Sequence, residues 1–599
     1  MGTVVDRRTF LESLGLAPAA VMLTDAWVRP AAASPSRTSG FAGGTPVRAA
    51  MHVHGSWSEG LASWEAQFRQ AALTGIDLLY MTDHDKRAMA LNYITSLNGV
   101  TLVTRSVGGL KQRAATVAGG SFRLLAESSS ATAPASVTLE VEPKPTAFNR
   151  LRTSIAGMSL KQTVTSAQLS GGSSYDVVVT LSYHPSAGGR AAGQYRLVYR
   201  FGGTRARWTE AGGLTGVVRV PEPAAGSVQT LVPEADASAF WPDMLAMDNS
   251  CFGLAFTAYS PHTGSVADTR IASLQFIRTK NAASDVVSAQ AEVIRTYQPR
   301  YPALAVRAST EVSKSLPDMN PFCIPQWFPD YSALPTDHDD RYRAIVSSVH
   351  GQGGVISYNH PFGYDTGPLL SPSARESKRL DVFRSLEAID LFGADIIEVG
   401  YTLRGQVDTA THLALWDTFS RRGRWLTGNG TTDDHRGRGW ASLNNGFVTG
   451  LWSPSVADTD ILPALAGGRA FAAHVGRWPG GELDVLVDGT IPMGAVAVGG
   501  ATSRALSIAA SALPQSSTVQ VVSGPVDYTG SAPATQVVAQ LPASAFEGGP
   551  CTVSVSNSTS RFLRVQVLAA DAGIIGTGNP VWLLREQPPG GIPPTRQVR

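Results

Sequence analysis

Residues 48–54 read RAAMHVH, a short apolar run that ends in two histidines. Such a run is typical of a buried β-strand, and alternate side chains of a strand point to the same face. His52 and His54 are therefore expected to lie side by side, where two imidazoles can bind one metal ion. Glu59 follows in the next predicted loop and offers a carboxylate to the same place.

Three further apolar runs end in the same kind of side chain. They read IDLLYMTDHD over residues 76–85, GGVISYNHP over residues 353–361 and WLTGNGTTDDH over residues 425–435. Each brings a histidine, namely His84, His360 or His435, to the carboxyl end of a predicted strand. For Asp83 and Asp85, capping of the next helix is the alternative interpretation.

Helical patterns separate these strands, near residues 342–350, 373–391 and 411–421. Alternating strands and helices predict an α/β fold of the (β/α) barrel type, whose catalytic groups lie at the carboxyl ends of the strands. The side chains of these motifs should therefore meet at one end of the barrel. Uncompensated histidines there would repel one another and lose solvation, so divalent cations are the expected counterpart.

In this order, the motifs resemble those of the PHP family, the polymerase and histidinol phosphatase superfamily of metal-dependent phosphoesterases. The resemblance covers about residues 46–100 and 281–475, which would be two parts of one domain. It implies a distorted seven-stranded (β/α) barrel of PHP type that binds two or three divalent metal ions, commonly Zn, Mn or Fe.

The resemblance also implies which residues bind each ion. His52, His54 and Asp433 would hold one ion, Glu59, His84 and His435 a second, and His360 a third. Glu311, which follows the apolar run that starts at residue 303, is the candidate for a glutamate that bridges two ions. Where the family has a further histidine, this chain has Asp318, which we expect to substitute for it.

The implied reaction is hydrolysis of phosphate monoesters or diesters by a hydroxide that bridges two metals, without a side-chain nucleophile. Arg436 and Arg438 follow the last ligand and are candidate phosphate-binding groups, because guanidinium binds phosphate oxygens in a bidentate way; ordinary surface positions are the alternative. Glu398 ends another predicted strand, where we expect a buried structural carboxylate rather than a ligand.

Two other functions remain open at this point. One is a metal-dependent hydrolase of another bond, because a polynuclear metal site also hydrolyses amides or lactones. The other is a carbohydrate-binding or cell-surface-binding protein with a degenerate barrel. Stoichiometric metal in the barrel separates an enzyme from such a binding protein.

The remaining segments indicate β-structure. Residues 105–280 alternate apolar and polar positions between Gly, Ser and Pro turns, which predicts an inserted, jelly-roll-like β-sandwich. Carbohydrate binding and a structural, shielding role are both open for it. Residues 480–586 predict a second β-sandwich, and the Pro/Gly-rich tail, residues 587–599, is expected to be disordered.

The amino-terminal segment, residues 1–33, resembles a twin-arginine signal peptide. Arg7 and Arg8 precede a short apolar stretch, and residues 31–33 offer a small-residue cleavage site. We therefore expect a secreted or extracytoplasmic protein. The apolar stretch is too short to span a bilayer and no later segment reads as transmembrane, so an integral membrane protein is not expected.

The amino-acid composition indicates which classes of protein to expect. Hydrophobic residues make up 43% and charged residues 16%, which indicates packed domains rather than a disordered chain. The net charge is +2 and the basic residues are scattered, so a nucleic-acid partner is not indicated. Cys251, Cys323 and Cys551 lie far apart, which predicts neither a zinc knuckle nor a disulfide framework but leaves one bridge open.

Overall fold

The computed structural model describes residues 41, 45–91, 95–96, 102–118, 120–141, 152–278, 283–365, 367–442 and 445–598. The predicted signal peptide, residues 1–33, lies outside the described residues. The described chain is mostly β and forms several sheets, because the inserted and carboxyl-terminal segments, predicted as β-sandwiches, are built almost entirely of strands. Within the described residues, we find no helix long and apolar enough to cross a membrane.

Two parallel strands joined by one helix begin the described fold. They are β1 (Thr45–Ala50), α1 (Trp64–Leu73) and β2 (Leu78–Met81). Ser63 accepts a hydrogen bond from the backbone N–H of Ala66 and so caps α1. Trp64 and Phe68 pack with apolar side chains that follow or belong to both strands, and the short helix α2 (Asp85–Ala88) follows β2.

The described residues between 102 and 278 form two sheets that pack on one hydrophobic core, which makes a β-sandwich. Its strands are β3 (Leu102–Val107), β4 (Leu110–Ala118), β5 (Ser121–Ser128), β6 (Ala135–Val141), β7 (Met158–Leu169), β8 (Ser174–His184), β9 (Gly193–Phe201), β10 (Ala206–Thr209), β11 (Thr215–Val220), β12 (Ser227–Leu231), β13 (Gly253–Ser260) and β14 (Val266–Arg278). Their orders are β10-β11-β9-β8-β13-β6-β3 and β12-β7-β14-β5-β4. Helix α3 (Pro233–Phe240) lies between β12 and β13.

Helices and strands are interspersed along the next part of the chain, as far as β23. The elements of this part are α4 (Ala283–Tyr297), β15 (Ala305–Ala308), β16 (Met319–Phe322), α5 (His338–Gly351), β17 (Val355–Tyr358), α6 (Pro372–Ala388), β18 (Ile396–Gly400), β19 (Leu403–Arg404), β20 (Val407–Asp408), α7 (Thr409–Arg421), β21 (Thr427–Gly430), β22 (Phe447–Ser453), α8 (Asp458–Ala466) and β23 (Ala470–His474). This arrangement places the motif strands beside one another.

The motif strands lie in two sheets rather than in one continuous ladder. Strands β15, β2 and β1 belong to an eleven-stranded sheet, and β16, β17, β18 and β21 form a four-stranded sheet. Strand β1 pairs in antiparallel fashion with β22, which occupies the edge that a continuous ladder would give to β21. Two isolated bridges join the sheets, between Val53 and Asp434 and between Val312 and Met319. The described residues therefore do not contain the closed ladder expected of a regular barrel.

The carboxyl-terminal strands extend the eleven-stranded sheet and add a four-stranded sheet, order β25-β24-β27-β30, over a shared core. The strands of this part are β24 (Glu482–Val487), β25 (Ile491–Pro492), β26 (Val496–Val498), β27 (Ser503–Ser511), β28 (Thr518–Pro525), β29 (Gln536–Pro542), β30 (Cys551–Ser556), β31 (Arg561–Leu568), β32 (Ile574–Gly578) and β33 (Val581–Leu584). Cys251, Cys323 and Cys551 are free thiols, so the bridge left open by the sequence is not formed.

The tail that we expected to be disordered, residues 587–599, is mostly exposed in its described part, but the side chain of Arg596 is buried. Arg596 is only 3% exposed. Its guanidinium donates hydrogen bonds to Oγ1 of Thr427 at 2.6 Å and to the carbonyl oxygen of Gly494 at 3.1 Å, and it lies over the ring of Trp582. These contacts order a segment whose composition alone predicted disorder.

Candidate metal centre

The histidines and carboxylates of the sequence motifs meet at one end of the motif strands. His52 and His54 follow β1, His84 follows β2, Glu311 follows β15, His360 follows β17, and Asp433 and His435 follow β21. Because these strands run side by side, their carboxyl ends bring the side chains within contact distance. The loop after β1 adds Glu59 to the same cluster.

Four side chains surround a point between His52 and His54. The Nε2 atoms of these histidines lie 3.0 Å apart, and each lies 3.2 to 3.4 Å from an oxygen of Glu311 and from an oxygen of Asp433. A tetrahedral zinc ion with ordinary bond lengths keeps its ligand atoms about 3.3 Å apart. The nitrogens of His52 and His54 and Oδ1 of Asp433 therefore have the mutual spacing of three ligands of one such ion, as assigned from the sequence, and Glu311 lies next to them.

A second group consists of Glu59, His84 and His435. The Nε2 atoms of His84 and His435 lie 3.0 Å and 3.8 Å from Oε1 of Glu59. The ring of His54 stacks on both imidazoles, with centroid separations of 4.7 Å to His84 and 4.3 Å to His435. Ligand atoms of these three histidines lie within 4.8 Å of one another. His54, His84 and His435 are therefore spaced as ligands of one ion, and Glu59 lies beside them through its contact with His84.

Glu311 contacts a histidine of each of the three candidate ligand groups. Its Oε2 lies 2.9 Å from Nδ1 of His84, and its Oε1 lies 3.3 Å from Nε2 of His360. Oδ2 of Asp318 lies 3.7 Å from the same nitrogen of His360, and Asp318 is only 5% exposed. This arrangement fits a bridging carboxylate at Glu311 and a carboxylate ligand at Asp318.

Burial and charge act in opposite directions on the histidines. Burial lowers the pKa of His52, but the charges of Glu311 and Glu398 raise it, so that the net pKa lies well above the ordinary value. Burial and the neighbouring His435 lower the pKa of His54 to about 3. The cluster thus shifts the pKa values of two adjacent imidazoles in opposite directions, and the lowered pKa of His54 favours its neutral, metal-binding form.

The carboxylates show the complementary effect. Burial raises the pKa of Glu311, but His52 and His84 lower it well below its ordinary value. Burial and the charge of Glu311 raise the pKa of Asp318 to about 6. Like charges on Glu311 and Asp318 are therefore only partly compensated by the protein's own cations, which favours an additional positive charge between them.

The imidazole nitrogens and carboxylate oxygens of the cluster are better arranged to bind a divalent cation than to form hydrogen bonds with one another. Nδ1 of His84 and Oε2 of Glu311 are 2.9 Å apart and buried, yet they do not have the geometry of a hydrogen bond. Buried polar atoms normally have a hydrogen-bond partner. Imidazole nitrogens and carboxylate oxygens that point toward a shared centre are the ligands preferred by zinc, manganese and iron. The residues present therefore fit such ions.

Glu398, which we expected to be a buried structural carboxylate, contacts the cluster directly. Nδ1 of His52 lies 2.7 Å from Oε1 of Glu398, and the backbone N–H of His360 donates to Oε2 at 2.6 Å. The hydroxyl of Tyr401 donates to the same oxygen at 2.5 Å. Glu398 thereby orients two candidate ligands. The sequence shows only a single acidic residue in an apolar strand, and this pattern does not indicate these partners.

The aspartates that flank His84 hold loops, and neither caps α2 by the usual side-chain bond. Asp83 accepts hydrogen bonds from the backbone N–H of Gly55 and from the indole N–H of Trp64, at 2.8 and 2.6 Å. Asp85 accepts from the backbone N–H of Ser313 at 3.1 Å. The motif therefore delivers one ligand and anchors the two loops that carry other ligands.

A cavity of about 680 Å³ opens over the cluster. Lys86, Arg87 and Arg404 lie in its wall among the metal-ligand candidates. Arg404 belongs to the β19–β20 hairpin, and its Nη2 lies 2.5 Å from Oδ2 of Asp433. Three cations thus face the space above the cluster, and none of them was singled out from the sequence.

Arg436 and Arg438, the arginines predicted to bind phosphate, are not among the described residues that line this cavity. Asp434 accepts hydrogen bonds from the backbone N–H groups of Arg436 and Gly437, at 3.0 and 2.7 Å. The guanidinium of Arg438 lies over the ring of Tyr183 in the inserted sandwich, 5.4 Å from its centroid.

No protein family model and no curated protein matches the chain. Among solved structures, it is similar to a two-domain protein from Bacteroides vulgatus that contains a predicted PHP-like metal-dependent phosphoesterase, at 13% identity over 49% of this chain and 78% of that chain, with a TM-score of 0.23. It is also similar to an endo-1,4-beta-glucanase, at 17% identity over 30% of this chain and 97% of that chain, TM-score 0.21. A family 12 xyloglucanase from Bacillus licheniformis shows 12% identity over 30% of this chain and 100% of that chain, TM-score 0.19. Likenesses with such TM-scores establish neither fold nor function.

Proposed function

We propose that the chain is a metal-dependent phosphoesterase, a hydrolase of phosphate monoesters or diesters. The observation that carries this proposal is the closely spaced group of His52, His54 and Asp433, which lies beside a cavity whose wall holds Lys86, Arg87 and Arg404. Metal ions and cationic side chains around one cavity suit a substrate whose reacting group carries several negative oxygens.

The cofactors we propose are two or three divalent ions, zinc, manganese or iron. When bound, such ions supply Lewis-acid polarisation of the phosphoryl oxygens and lower the pKa of an attacking water. The chain's own part is to hold them: His52, His54, Glu311 and Asp433 at the first position, and Glu59, His84 and His435 at the second. His360 and Asp318, with Glu311, would form the third.

The side chains of the cavity wall orient the substrate in this proposal. The guanidinium of Arg404 is fixed by Asp433 at 2.5 Å, and that of Arg87 by Glu59, with Nε 2.9 Å from Oε2. Each arginine is thus immobilised by a candidate ligand, so its remaining N–H groups meet a phosphoryl group without further loss of side-chain freedom. No side-chain nucleophile is required.

Two wider expectations complete the proposal. The seven strands β1, β2, β15, β16, β17, β18 and β21 would form a distorted barrel that single bridges close at Val53–Asp434 and Val312–Met319. Residues 1–33 would direct export as a twin-arginine signal peptide, so that the enzyme acts outside the cytoplasm.

The proposal is tested by hydrolysis of p-nitrophenyl phosphate and bis-p-nitrophenyl phosphate by the full chain supplied with Zn, Mn or Fe. Turnover of either ester should be lost in a His52→Ala/Asp433→Ala variant and kept in His262→Ala, which removes an exposed imidazole of the inserted sandwich. The preferred ester would separate a monoesterase from a diesterase. Metal-dependent turnover of an amide or lactone without turnover of either phosphate ester would replace the proposal by a hydrolase of another bond.

A further inference from the structure

The loop that carries Glu59, residues 55–63, lies between the metal cluster and the inserted sandwich. We name it the ligand loop; it joins β1 to α1. On the cluster side, Asp83 accepts hydrogen bonds from the backbone N–H of Gly55 and from the hydroxyl of Ser58, at 2.8 and 2.5 Å. A Cβ added at Gly60 would lie 2.6 Å from the carbonyl oxygen of Gly55, so the loop closes tightly on itself.

Backbone hydrogen bonds tie the other side of the ligand loop to the sandwich. The N–H of Tyr183, near the end of β8, donates to the carbonyl oxygen of Leu61 at 2.7 Å. The N–H of Ser63 donates to the carbonyl oxygen of Tyr183 at 2.9 Å. Ala62 and Tyr183 consequently form an isolated parallel bridge. The ligand loop therefore pairs with the end of β8 as a short strand would.

Asp248 of the inserted segment is a second, independent anchor. It is fully buried and accepts a hydrogen bond from the hydroxyl of Ser56 at 2.6 Å. It also accepts from the backbone N–H groups of Trp64 and Glu65, at 2.8 and 3.2 Å, at the start of α1. One carboxylate of the insertion therefore fixes both ends of the ligand loop.

We propose that the inserted sandwich is a positioning element of the metal centre, which acts by holding Glu59 at the second metal position through Asp248. This inference rests on the metal centre of the proposed function. Oε1 of Glu59 lies 3.0 Å from Nε2 of His84, and the loop that carries Glu59 is pinned on both sides. A ligand whose supporting contacts are lost binds its metal less tightly, typically by 10- to 100-fold.

The test measures metal binding by isothermal titration of the metal-free full chain with Zn²⁺, in wild type and in Asp248→Asn, Ser56→Ala and Glu59→Gln variants. We expect Asp248→Asn to weaken one ion by about 10-fold or more and to leave the others unchanged. Ser56→Ala, which removes only one hydroxyl, should weaken the same ion to a smaller extent. The double variant Asp248→Asn/Glu59→Gln should be no weaker than Glu59→Gln alone, because a positioning contact has no effect once its carboxylate is gone.

Asp176→Asn is the matched control. Asp176 lies on the same strand as Tyr183, seven residues and about 23 Å away, and pairs with Arg200 at 2.7 Å inside the sandwich. It should leave all metal affinities unchanged. Equal affinities in Asp248→Asn and wild type, additive effects in the double variant, or uniform weakening of every ion would overturn the inference while the metal centre stands. Absence of Zn²⁺ binding in wild type would overturn the inference and the proposed function together.

Discussion

Nδ1 of His52 lies 2.7 Å from Oε1 of Glu398, and both side chains are buried. Because this contact occupies Nδ1, the other ring nitrogen of His52 is left to face His54, Glu311 and Asp433. A carboxylate behind a histidine fixes its tautomer and raises its basicity as a ligand. The cluster therefore depends on a residue that binds no ion itself.

Glu398→Gln tests that dependence. The amide keeps the shape of the side chain but loses the charge, so we expect metal affinity to fall by about 10- to 100-fold. Metal titration followed by calorimetry measures the change. Glu547→Gln, at an exposed carboxylate of the carboxyl-terminal part, is the control. Unchanged affinity in Glu398→Gln would mean that Glu398 has only a structural role.

Asp85→Ala should loosen the loop that carries Asp318. The variant leaves the backbone N–H of Ser313 and the hydroxyl of Tyr331 without their acceptor, at a cost of about 1–3 kcal/mol in the free energy of unfolding. Urea unfolding of the metal-free chain measures this loss. Asp381→Ala removes a carboxylate that is 70% exposed and should cost almost nothing. Equal stability of the two variants would contradict the anchoring role.

Arg404→Gln should impair turnover of phosphate esters more than either arginine near the last ligand. Loss of a fixed cation beside the reacting group typically lowers kcat by about 10²- to 10³-fold. Steady-state kinetics at saturating metal measures it. Arg436→Gln and Arg438→Gln serve as matched controls, because neither side chain lines the cavity in the described structure. A larger loss in either control than in Arg404→Gln would contradict this assignment.

A pH dependence of stability follows from Asp484, which lies away from the metal cluster. Burial raises the pKa of Asp484 to about 6. Since the ordinary value is near 3.9, the folded chain holds an extra proton between about pH 4 and 6. The stability linked to that proton is fully present below pH 4 and is lost as the pH rises through 6.

Asp484→Asn should abolish that loss. Relative to wild type, the variant should gain about 1–3 kcal/mol between pH 4.5 and pH 7.5, measured as the difference in unfolding free energy at the two pH values. Asp488→Asn, an Asp on the same hairpin whose side chain is 32% exposed, is the control. A stability difference that does not change with pH would show that Asp484 titrates normally.

The strand-end histidines could be predicted from the sequence because their signal is local. A short apolar run fixes a strand, and the residue that follows it lies at the carboxyl end of that strand. His84, His360 and His435 follow this rule, and the structure brings them to one cluster. Local patterning thus contained most of the candidate site.

The parts that could not be predicted depend on contacts between distant residues. Strand β1 pairs with β22, so that Thr45 lies opposite Ser453. This pairing separates the motif strands into two sheets, and no local sequence pattern indicates it. Arg404, in the β19–β20 hairpin, lines the cavity, whereas Arg436 does not. Arg596 orders a tail whose composition indicates disorder. In each case a tertiary contact overrides the local preference.

The most direct measurement is the metal content of the purified full chain by inductively coupled plasma mass spectrometry, for wild type and the His52→Ala/Asp433→Ala variant. We expect two or three divalent transition-metal ions per chain in wild type and at least one fewer in the variant. Less than one ion per chain in wild type, or the same content in both proteins, would contradict a metal centre at this cluster.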